Sequence, residues 1–282
     1  MKPTLARTRE YEMGPSAESS HEASPVVPRE RLTVAEQLVS IVAPSSLEAD
    51  QYRALRHVVE RLRRDSGLHV LAVTSPGPGD GKTVTTINLA ASLAQSREAR
   101  TLLVDADLHR PSVAQYLGLA HPRSPGLVDA ILNEELTLGR LVRRLESSNL
   151  FVLGAGMYQA GAYELLNSPR LEALLDEARR HYDYVVVDTP PLLPLPDCRL
   201  IGRWVDGFFI VVGAHKTPRK ALAEALNLVD PVKVIGTVFN GDDRPLAAYS
   251  GYYSYYGSRE PHATPPGSST GRSRWWKRAW KP

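Results

Sequence analysis

HVLAVTSPGPGDGKTVTTINLAASLAQ, residues 69–95, runs from an apolar segment through a loop rich in glycine and proline into a helical pattern. A glycine-rich loop between a strand and the first turn of a helix places backbone amides where they can hold phosphate groups. In such a loop Lys82 reaches the β- and γ-phosphates of a nucleotide, and the hydroxyl of Thr83 is a ligand for Mg²⁺. The sequence therefore predicts a site for ATP and Mg²⁺ at residues 75–83, here called the phosphate loop.

The phosphate loop departs from the usual pattern at one position. The pattern GxxxxGK[ST] has glycine where this chain has Pro76. An ordinary turn before a helix is the alternative, but it explains neither Lys82 nor Thr83. We predict nucleotide contacts from the residues that would surround the phosphates: Gly77, Gly79, Asp80, Gly81, Lys82, Thr83 and Val84.

Apolar segments alternate with helical patterns along the rest of the chain. Continuous runs of Val, Ile and Leu separated by helices are typical of a parallel sheet that helices cover on both faces. The sequence therefore predicts an α/β fold with a mostly parallel, doubly wound sheet. After the strand at residues 69–75, the predicted strands are residues 101–107, 150–154, 184–189, 207–212 and 232–240, and the longest later helical patterns are residues 164–182 and 219–229.

An amphipathic helix is predicted before the phosphate loop, at SSLEADQYRALRHVVERLRR, residues 45–64. Ser45 or Ser46 can cap its N-terminus. Five apolar side chains fall on one helical stripe: Leu47, Tyr52, Leu55, Val59 and Leu62. The opposite face carries a charged stripe at three-residue steps, formed by Asp50, Arg53 and Arg56.

Carboxylates follow two other predicted strands. Asp105 and Asp107 end TLLVDAD, and Asp188 ends YVVVD. Ligands of open α/β sheets bind outside the carboxyl ends of the strands, so these acids are expected to face the triphosphate. Three acids beside a triphosphate require a divalent cation with oxygen ligands, which favours Mg²⁺. Helix capping by isolated aspartates is the alternative, and it fits any one of them better than all three.

The composition excludes several functions. A hydrophobic content of 43% in 282 residues is ordinary for a globular protein. The formal charge of +3 is concentrated near the C-terminus, and no binding module gathers the basic residues, so no nucleic acid partner is expected. The single Cys198 excludes an internal disulfide and fits a reducing compartment. It is expected to pack as a small hydrophobic side chain, with a redox role as the alternative.

Three regions are predicted along the chain. Residues 1–43 read as a flexible leader, although RLTVAEQLVSIV, residues 31–42, could form a short helix or strand. Residues 44–245 form the nucleotide-binding domain, and residues 246–282 form a tail. The sequence contains no signal peptide and no run of roughly 18 to 20 apolar residues. We therefore expect a cytoplasmic protein.

The tail contains two unusual clusters. Five tyrosines occur within eight residues: Tyr249, Tyr252, Tyr253, Tyr255 and Tyr256. Adjacent tyrosines among glycine and serine favour a mobile segment whose hydroxyls can accept phosphate, although an edge strand or a low-complexity tail is an equal alternative. Tryptophans alternate with cations in RSRWWKRAWKP, residues 272–282, which suits either an anionic membrane surface or a disordered solubilising tail.

The combination of motifs resembles the bacterial tyrosine kinases of capsule and exopolysaccharide assembly. The resemblance includes the phosphate loop, LLVDADLHRPS (102–112), YVVVDTPP (184–191) and the tyrosine cluster, and extends to GLVDAIL (126–132), ELLNSPR (164–170), Asp197 and GTVFN (236–240). It implies a P-loop NTPase fold of the Min/Par-like deviant class, unrelated to eukaryotic protein kinases. In such relatives the charged stripe of the early helix mediates assembly of a homo-oligomeric ring, and Asn240 lies near the adenine.

The resemblance also implies an activity and partners. It predicts ATP-dependent autophosphorylation of the tyrosine cluster, with a separate transmembrane polysaccharide co-polymerase as activator and recruitment to the inner face of the plasma membrane. A phenol needs a proton acceptor at neutral pH, and we predict Asp105 as that base. The other predicted roles are charge stabilisation by Lys82 and Mg²⁺ binding by Thr83, Asp107 and Asp188.

Two positions depart from the family pattern. Asp50 stands where the family usually has Glu, and a shorter acid is expected to weaken oligomers. His109 stands where the family has Arg, which favours lower activity or an ATP-binding scaffold as an alternative function. A Min/Par-like switch ATPase is a further alternative, but Gly77 occupies the position of the signature lysine of those ATPases.

Overall fold

The computed structural model describes residues 24–28, 33–96, 98–119, 124–146, 148–157 and 161–242. Contacts within the chain divide it into two units, Met1–Asp242 and Asp243–Pro282. The tyrosine cluster and the tryptophan-rich segment belong to the second unit, which lies outside the described residues. The predictions made for these two clusters therefore stay predictions.

A single eight-stranded sheet forms the centre of the described part of the chain. Its strands are β1 (Val26–Val27), β2 (Val70–Thr74), β3 (Thr101–Asp105), β4 (Arg143–Leu145), β5 (Leu150–Leu153), β6 (Tyr184–Asp188), β7 (Gly207–Gly213) and β8 (Val234–Asn240). They lie in the order β1-β4-β5-β3-β6-β2-β7-β8. Every neighbouring pair is parallel except β4 and β5, which are antiparallel. The mostly parallel sheet predicted from the alternating apolar segments is confirmed.

Helices cover both faces of this sheet. They are α1 (Val39–Val42), α2 (Leu47–Ser66), α3 (Lys82–Leu93), α4 (Val113–Tyr116), α5 (Leu127–Leu132), α6 (Leu138–Leu141), α7 (Ala162–Leu166), α8 (Pro169–His181), α9 (Asp197–Ile201) and α10 (Arg219–Leu226), with a 3-10 turn at Pro231–Lys233. One core cluster includes α2, α3 and one sheet face, and the other includes α5, α8, α9 and the opposite face. Burial on both faces explains why the central strands are continuous apolar runs.

Two segments of the predicted leader lie against this domain. Val26–Val27 pairs with β4, and Leu38 is completely buried. The Asn88 side chain on α3 accepts a hydrogen bond from the backbone of Ser40 and donates one to the carbonyl of Gln37. The short helix that the sequence allowed within residues 31–42 is α1. The packed structure thus extends upstream of residue 44, where the domain was predicted to begin.

Two local predictions are wrong. Residues 164–182 form two helices rather than one, because Ser168 caps α8 and Pro169 occupies its first turn, where no backbone N–H is needed. Leu47 does not join the buried stripe of α2, and its surface is 51% exposed. Ser46, not Ser45, is the N-cap of α2, and its side chain accepts a hydrogen bond from the backbone of Ala49. No helix in the described ranges is both long enough and apolar enough to cross a membrane.

Candidate active site

The phosphate loop lies between the carboxyl end of β2 and the start of α3. Gly79 and Gly81 have φ angles of +79° and +92°, which side chains with a Cβ rarely adopt. A Cβ on Gly81 would lie 1.9 Å from the Nδ2 atom of Asn240, so the loop also depends on this glycine for space. Lys82 and Thr83 follow in the first turn of α3, as the sequence predicted.

Lys82 lies among the predicted acids. Its Nζ atom is 2.6 Å from Oδ2 of Asp107 and 3.7 Å from Oδ2 of Asp188. All three side chains are buried. Burial by itself lowers the pKa of Lys82, but the charges of Asp188 and Asp107 outweigh this effect and hold that pKa above its usual value. The ammonium group therefore stays charged and neutralises part of the acidic cluster.

Two threonine hydroxyls on α3 hold the carboxylate of Asp188. Thr83 donates to Oδ2 at 2.7 Å, and Thr86 donates to Oδ1 at 3.1 Å. The Thr86 hydroxyl also lies 2.7 Å from the backbone carbonyl oxygen of Lys82, so its single proton is shared between the two acceptors. These contacts fix Asp188, the last residue of β6, against the start of the helix that follows the phosphate loop.

The register of the sheet brings Asp105 and Asp188 together, because the two residues are directly paired between β3 and β6. Asp105 is 1% exposed, and its Oδ2 atom accepts hydrogen bonds from the backbone N–H groups of Ser112 and Val113. Burial raises the pKa of Asp105 to about 8, and the charge of Asp188 adds to this increase. Burial also raises the pKa of Asp188, although the charge of Lys82 opposes the shift. Because these two carboxyl groups are buried and directly paired, the negative charge of one disfavours ionisation of the other.

His109 connects the loops that follow β3 and β6. Its Nε2 atom lies 2.5 Å from Oδ2 of Asp197, whose side chain is 3% exposed. Asp197 is the first residue of α9. The histidine therefore connects the segment LLVDADLHRPS (102–112) with the start of α9, at the position where the resemblance led us to expect an arginine.

The phosphate loop also contacts residues at or just beyond the ends of β7 and β8. Asn240, at the end of β8, donates from Nδ2 to the carbonyl oxygen of Asp80 at 3.0 Å. Residues 213–217, which begin at the last residue of β7, supply two further contacts: Lys216 donates to the carbonyl of Gly79 at 2.8 Å, and Thr217 donates to Oδ1 of Asp80 at 2.9 Å. The sequence pointed to Asn240 only through the resemblance, and it gave no reason to single out Lys216 or Thr217.

The predicted metal ligands Thr83, Asp107 and Asp188 lie together in this cluster. The described part of the chain contains no group of three or more His, Cys, Asp or Glu side chains that could hold a metal ion by themselves. That finding is compatible with Mg²⁺, which is usually held by one or two carboxylates together with substrate phosphates and water. The hard oxygens of these three residues beside a phosphate loop fit such a cation.

The charged stripe of α2 is engaged within the chain. Arg53 bonds to Asp50 and to the carbonyl of Pro44. Arg56 donates to Oε1 of Glu60 at 2.6 Å and to the carbonyl of Ser92 on α3 at 3.0 Å. Their predicted role in oligomerisation therefore requires surfaces that remain accessible beside these internal contacts.

Comparison with known proteins identifies the family. A model of the AAA domain matches residues 68–227. The tyrosine-protein kinase YwqD of Bacillus subtilis is 32% identical over 225 residues, which cover 79% of this chain and 92% of YwqD. The chain belongs to the bacterial tyrosine kinases. The succinoglycan biosynthesis transport protein ExoP of Rhizobium meliloti is 32% identical over 219 residues, but the match covers only 28% of ExoP.

Solved structures agree with this assignment. The kinase domain of the Escherichia coli tyrosine kinase ETK has a TM-score of 0.68 and 27% identity, with 75% of this chain and 83% of that chain covered. A ParA family ATPase from Chlorobium tepidum has a TM-score of 0.51 and 22% identity over 67% of this chain and 80% of that chain, a likeness of fold alone. The predicted family and the Min/Par-like fold are both confirmed.

Several functional contacts had little or no signal in the sequence. Thr86 is one of two threonines after Val84, and only the three-dimensional arrangement shows that its hydroxyl reaches Asp188. Ser112 ends the segment LLVDADLHRPS (102–112), but no sequence pattern predicts its hydrogen bonds to Asp105 and Thr83. Lys216 and Thr217 follow β7 without a recognisable motif, so their contacts with the phosphate loop are visible only in the structure.

Proposed function

We propose that this chain is an ATP-dependent protein-tyrosine autokinase that phosphorylates its own C-terminal tyrosine cluster. The observation that carries the proposal is the contact of Lys82 with Asp107 and Asp188 beside a phosphate loop in a member of this family. The acceptors are the five tyrosines between Tyr249 and Tyr256. Mass spectrometry after expression tests the proposal: phosphate on these tyrosines is expected in the wild type and not in Lys82→Met.

The site residues have separate roles in the proposed reaction. The phenol oxygen of a tyrosine forms a bond to the γ-phosphorus of ATP, the bond to the β–γ bridging oxygen breaks, and ADP leaves. Asp105 accepts the phenol proton, and Lys82 stabilises the negative charge of the transferred group. Thr83, Asp107 and Asp188 hold Mg²⁺, which supplies neutralisation of phosphate charge when it is bound. Gly77, Gly79, Asp80, Gly81, Val84 and Asn240 surround the nucleotide.

The raised pKa of Asp105 gives this assignment a pH dependence. A base with a pKa of about 8 is better matched to a phenol than an ordinary aspartate is, but it must lose its proton before it can act. The rate of phosphorylation at saturating ATP should therefore rise between pH 6.5 and about 8. An Asp105→Asn variant that retained full activity with the same pH profile would remove Asp105 as the base.

We propose that the acceptor tyrosines come from a neighbouring subunit of a ring assembled through Asp50, Arg53 and Arg56. Delivery of the phenol is then the controlling step, since catalysis of phosphoryl transfer relies mainly on positioning and electrostatics. A mixture of the Lys82→Met chain with an active chain lacking residues 246–282 tests this directly. Phosphotyrosine on the Lys82→Met chain is the expected result, and its absence would refute transfer between subunits.

Phosphorylation is proposed to release the assembly. Each phosphate adds about −1.5 to −2 charges, so full modification adds on the order of −8 to −10 charges to one segment. Such a segment should leave an acidic site. Sedimentation before and after incubation with ATP and Mg²⁺ should show a smaller species after phosphorylation, and an unchanged profile would contradict the proposal.

The proposed biological role is the control of capsule or exopolysaccharide polymerisation and export at the inner face of the plasma membrane. The name of the relative ExoP supports a link to polysaccharide biosynthesis and transport. The proposed partner is a separate transmembrane activator, with an additional surface contact from the tryptophan-rich tail. Liposome sedimentation with and without residues 270–282 tests that contact, and equal binding would exclude it.

A further inference from the structure

The conformation of the phosphate loop is held from outside by residues 213–217, here called the clamp loop. Asp80 is the key contact, because its carboxylate is only 4% exposed within a loop that is built to bind anions. Oδ1 of Asp80 accepts the hydroxyl of Thr217 at 2.9 Å, and Oδ2 accepts the backbone N–H of Gly77 at 3.2 Å. Both oxygens of this acid are thus engaged by donors of the protein.

Lys216 acts on the neighbouring peptide. Its Nζ atom donates to the carbonyl oxygen of Gly79 at 2.8 Å, and the carbonyl oxygen of Pro78 is 3.5 Å away. A Cβ on Gly79 would lie 2.6 Å from this Nζ atom, so the ammonium group occupies the side of the loop that the glycine leaves open.

The clamp loop is itself tightly bonded. The hydroxyl of Thr217 accepts a hydrogen bond from the backbone N–H of Gly213 at 2.9 Å, and the backbone N–H groups of Lys216 and Thr217 both donate to the carbonyl of Gly213. His215 has a φ angle of +59°, the one positive value among the described residues other than glycine. Backbone strain of this kind persists only where surrounding contacts enforce it, and it is concentrated at functional sites.

We propose that the clamp loop fixes the phosphate loop in its binding conformation and thereby sets the affinity for nucleotide, with Thr217 and Lys216 as positioning residues. The inference rests on the proposed nucleotide site but not on tyrosine phosphorylation. Because Thr217 bonds both to its own loop and to Asp80, loss of its hydroxyl frees one side of the phosphate loop. The backbone amides then have to be ordered when phosphate binds, which weakens binding.

The test compares Thr217→Val, which keeps the shape of the side chain, with Thr217→Ser, which keeps the hydroxyl. Titration with a fluorescent ADP analogue in the presence of Mg²⁺ gives the Kd for each full-length variant. One lost hydrogen bond is expected to raise the Kd of Thr217→Val roughly three- to tenfold, whereas Thr217→Ser should stay within about twofold of the wild type. With ATP, the change should appear in KM rather than in kcat, because the reacting groups are intact.

Two further variants keep the test decisive. Lys216→Met should also raise the Kd, whereas Lys220→Met, an exposed lysine on α10 outside the clamp loop, should not. If Thr217→Val does not fold, as shown by its thermal unfolding, Lys216→Met and Lys220→Met carry the comparison. A wild-type Kd in both clamp variants, or an equal loss in Thr217→Ser, would overturn the inference. Since nucleotide binding is measured directly, a chain without kinase activity would refute the proposed function and leave this result interpretable.

Discussion

The ammonium group of Lys82 lies 2.6 Å from a carboxylate oxygen of Asp107, which follows β3, and β6 separates that strand from β2, the strand that leads into the phosphate loop. In this arrangement one lysine neutralises acids that come from two other strands, because Asp188 is 3.7 Å from the same nitrogen. The lysine is therefore a structural counter-ion as well as a candidate phosphate ligand. Its removal should have consequences for stability that do not depend on ATP.

Lys82→Met is expected to destabilise the protein near neutral pH. Removal of one partner of a buried ion pair leaves uncompensated charge and typically costs about 3–5 kcal/mol. The raised pKa of Lys82 means that its stabilising contribution is complete at neutral pH and is lost only when the pH rises above its usual pKa. Urea unfolding at pH 7 measures the change, with Lys220→Met as the exposed control. Equal stability of Lys82→Met and the wild type would contradict the counter-ion role.

Asp105→Asn is expected to gain stability relative to the wild type as the pH rises. The pKa of Asp105 is raised to about 8 in the folded protein, so between about pH 4 and pH 8 the folded state binds more protons than the unfolded state. The contribution of this group to stability therefore falls as the pH increases through that window. At pH 8 without Mg²⁺, the variant should be more stable by at least about 1.4 kcal/mol, the equivalent of one pKa unit.

Unfolding curves at pH 5 and pH 8 measure this difference. Asp65→Asn, at an exposed position near the end of α2, controls for the loss of one negative charge. Parallel pH profiles for the wild type and Asp105→Asn would show that Asp105 does not carry a raised pKa.

Thr83 and Thr86 provide a matched pair, since both hydroxyls donate to the carboxylate of Asp188. Thr83→Val removes a proposed metal ligand and should weaken the Mg²⁺-dependent part of ADP binding at least about tenfold. Thr86→Val removes a comparable hydrogen bond but no proposed ligand, so it should lower stability with little effect on that part. Titration of ADP with and without Mg²⁺ separates the two. The assignment of Thr83 fails if both variants respond equally.

His109→Ala should remove the contact between the imidazole and the buried carboxylate of Asp197. Leaving a buried acceptor without its donor lowers the free energy of unfolding by about 1–3 kcal/mol. The loops after β3 and β6 also lose a connection. His109→Arg should retain the pairing and reach at least wild-type activity, because the family usually has Arg there. Thermal unfolding and the rate of tyrosine phosphorylation measure both effects. A more active His109→Ala would exclude a positioning role for this histidine.

Substitutions in the charged stripe of α2 should separate assembly from folding. Arg53→Ala and Arg56→Ala are both expected to reduce the mass of the oligomer in sedimentation velocity experiments. Arg56→Ala should lower monomer stability more than Arg53→Ala does, by about 1 kcal/mol, because Arg56 bonds to the Ser92 carbonyl on α3, whereas the carbonyl bond of Arg53 is to Pro44 at the exposed start of the same helix. Arg64→Ala, at an exposed position of the same helix, is the control. Unchanged assembly in both test variants would remove the stripe from the interface.

The sequence predicted the parts of the fold that depend on long apolar runs and on glycine. The central strands are buried on both faces, so each is a continuous run of Val, Ile and Leu that is visible without a structure. The two-residue strand Val26–Val27 and the arginine-rich β4 have no such signal and depend on pairing with distant residues. The break before Pro169 was missed because the apolar periodicity continues across it, although the Ser-Pro pair marks the start of a new helix.

The site was predictable to the extent that its residues follow strand ends. Lys82, Thr83, Asp105 and Asp188 occupy positions that the strand and loop pattern defines, and the structure brings them together. The partnership of Asp105 with Asp188 depends on the register of two strands far apart in the chain, which no local pattern contains. The contact of Thr217 with Asp80 likewise has no local signal. Thr217 follows β7 and Asp80 follows β2, so only tertiary packing brings the two residues together.

The docking of Val26–Val27 and Leu38 onto the domain has a practical consequence for work with fragments. A recombinant piece begun at residue 44 would leave the outer side of β4 with unpaired peptide groups and would remove Leu38 from the core cluster in which it is buried. An exposed edge strand can pair with strands of other chains, so such a piece is expected to aggregate or to self-associate through a surface that the intact chain covers. An oligomeric state measured on a truncated protein would then report the truncation rather than the intact chain.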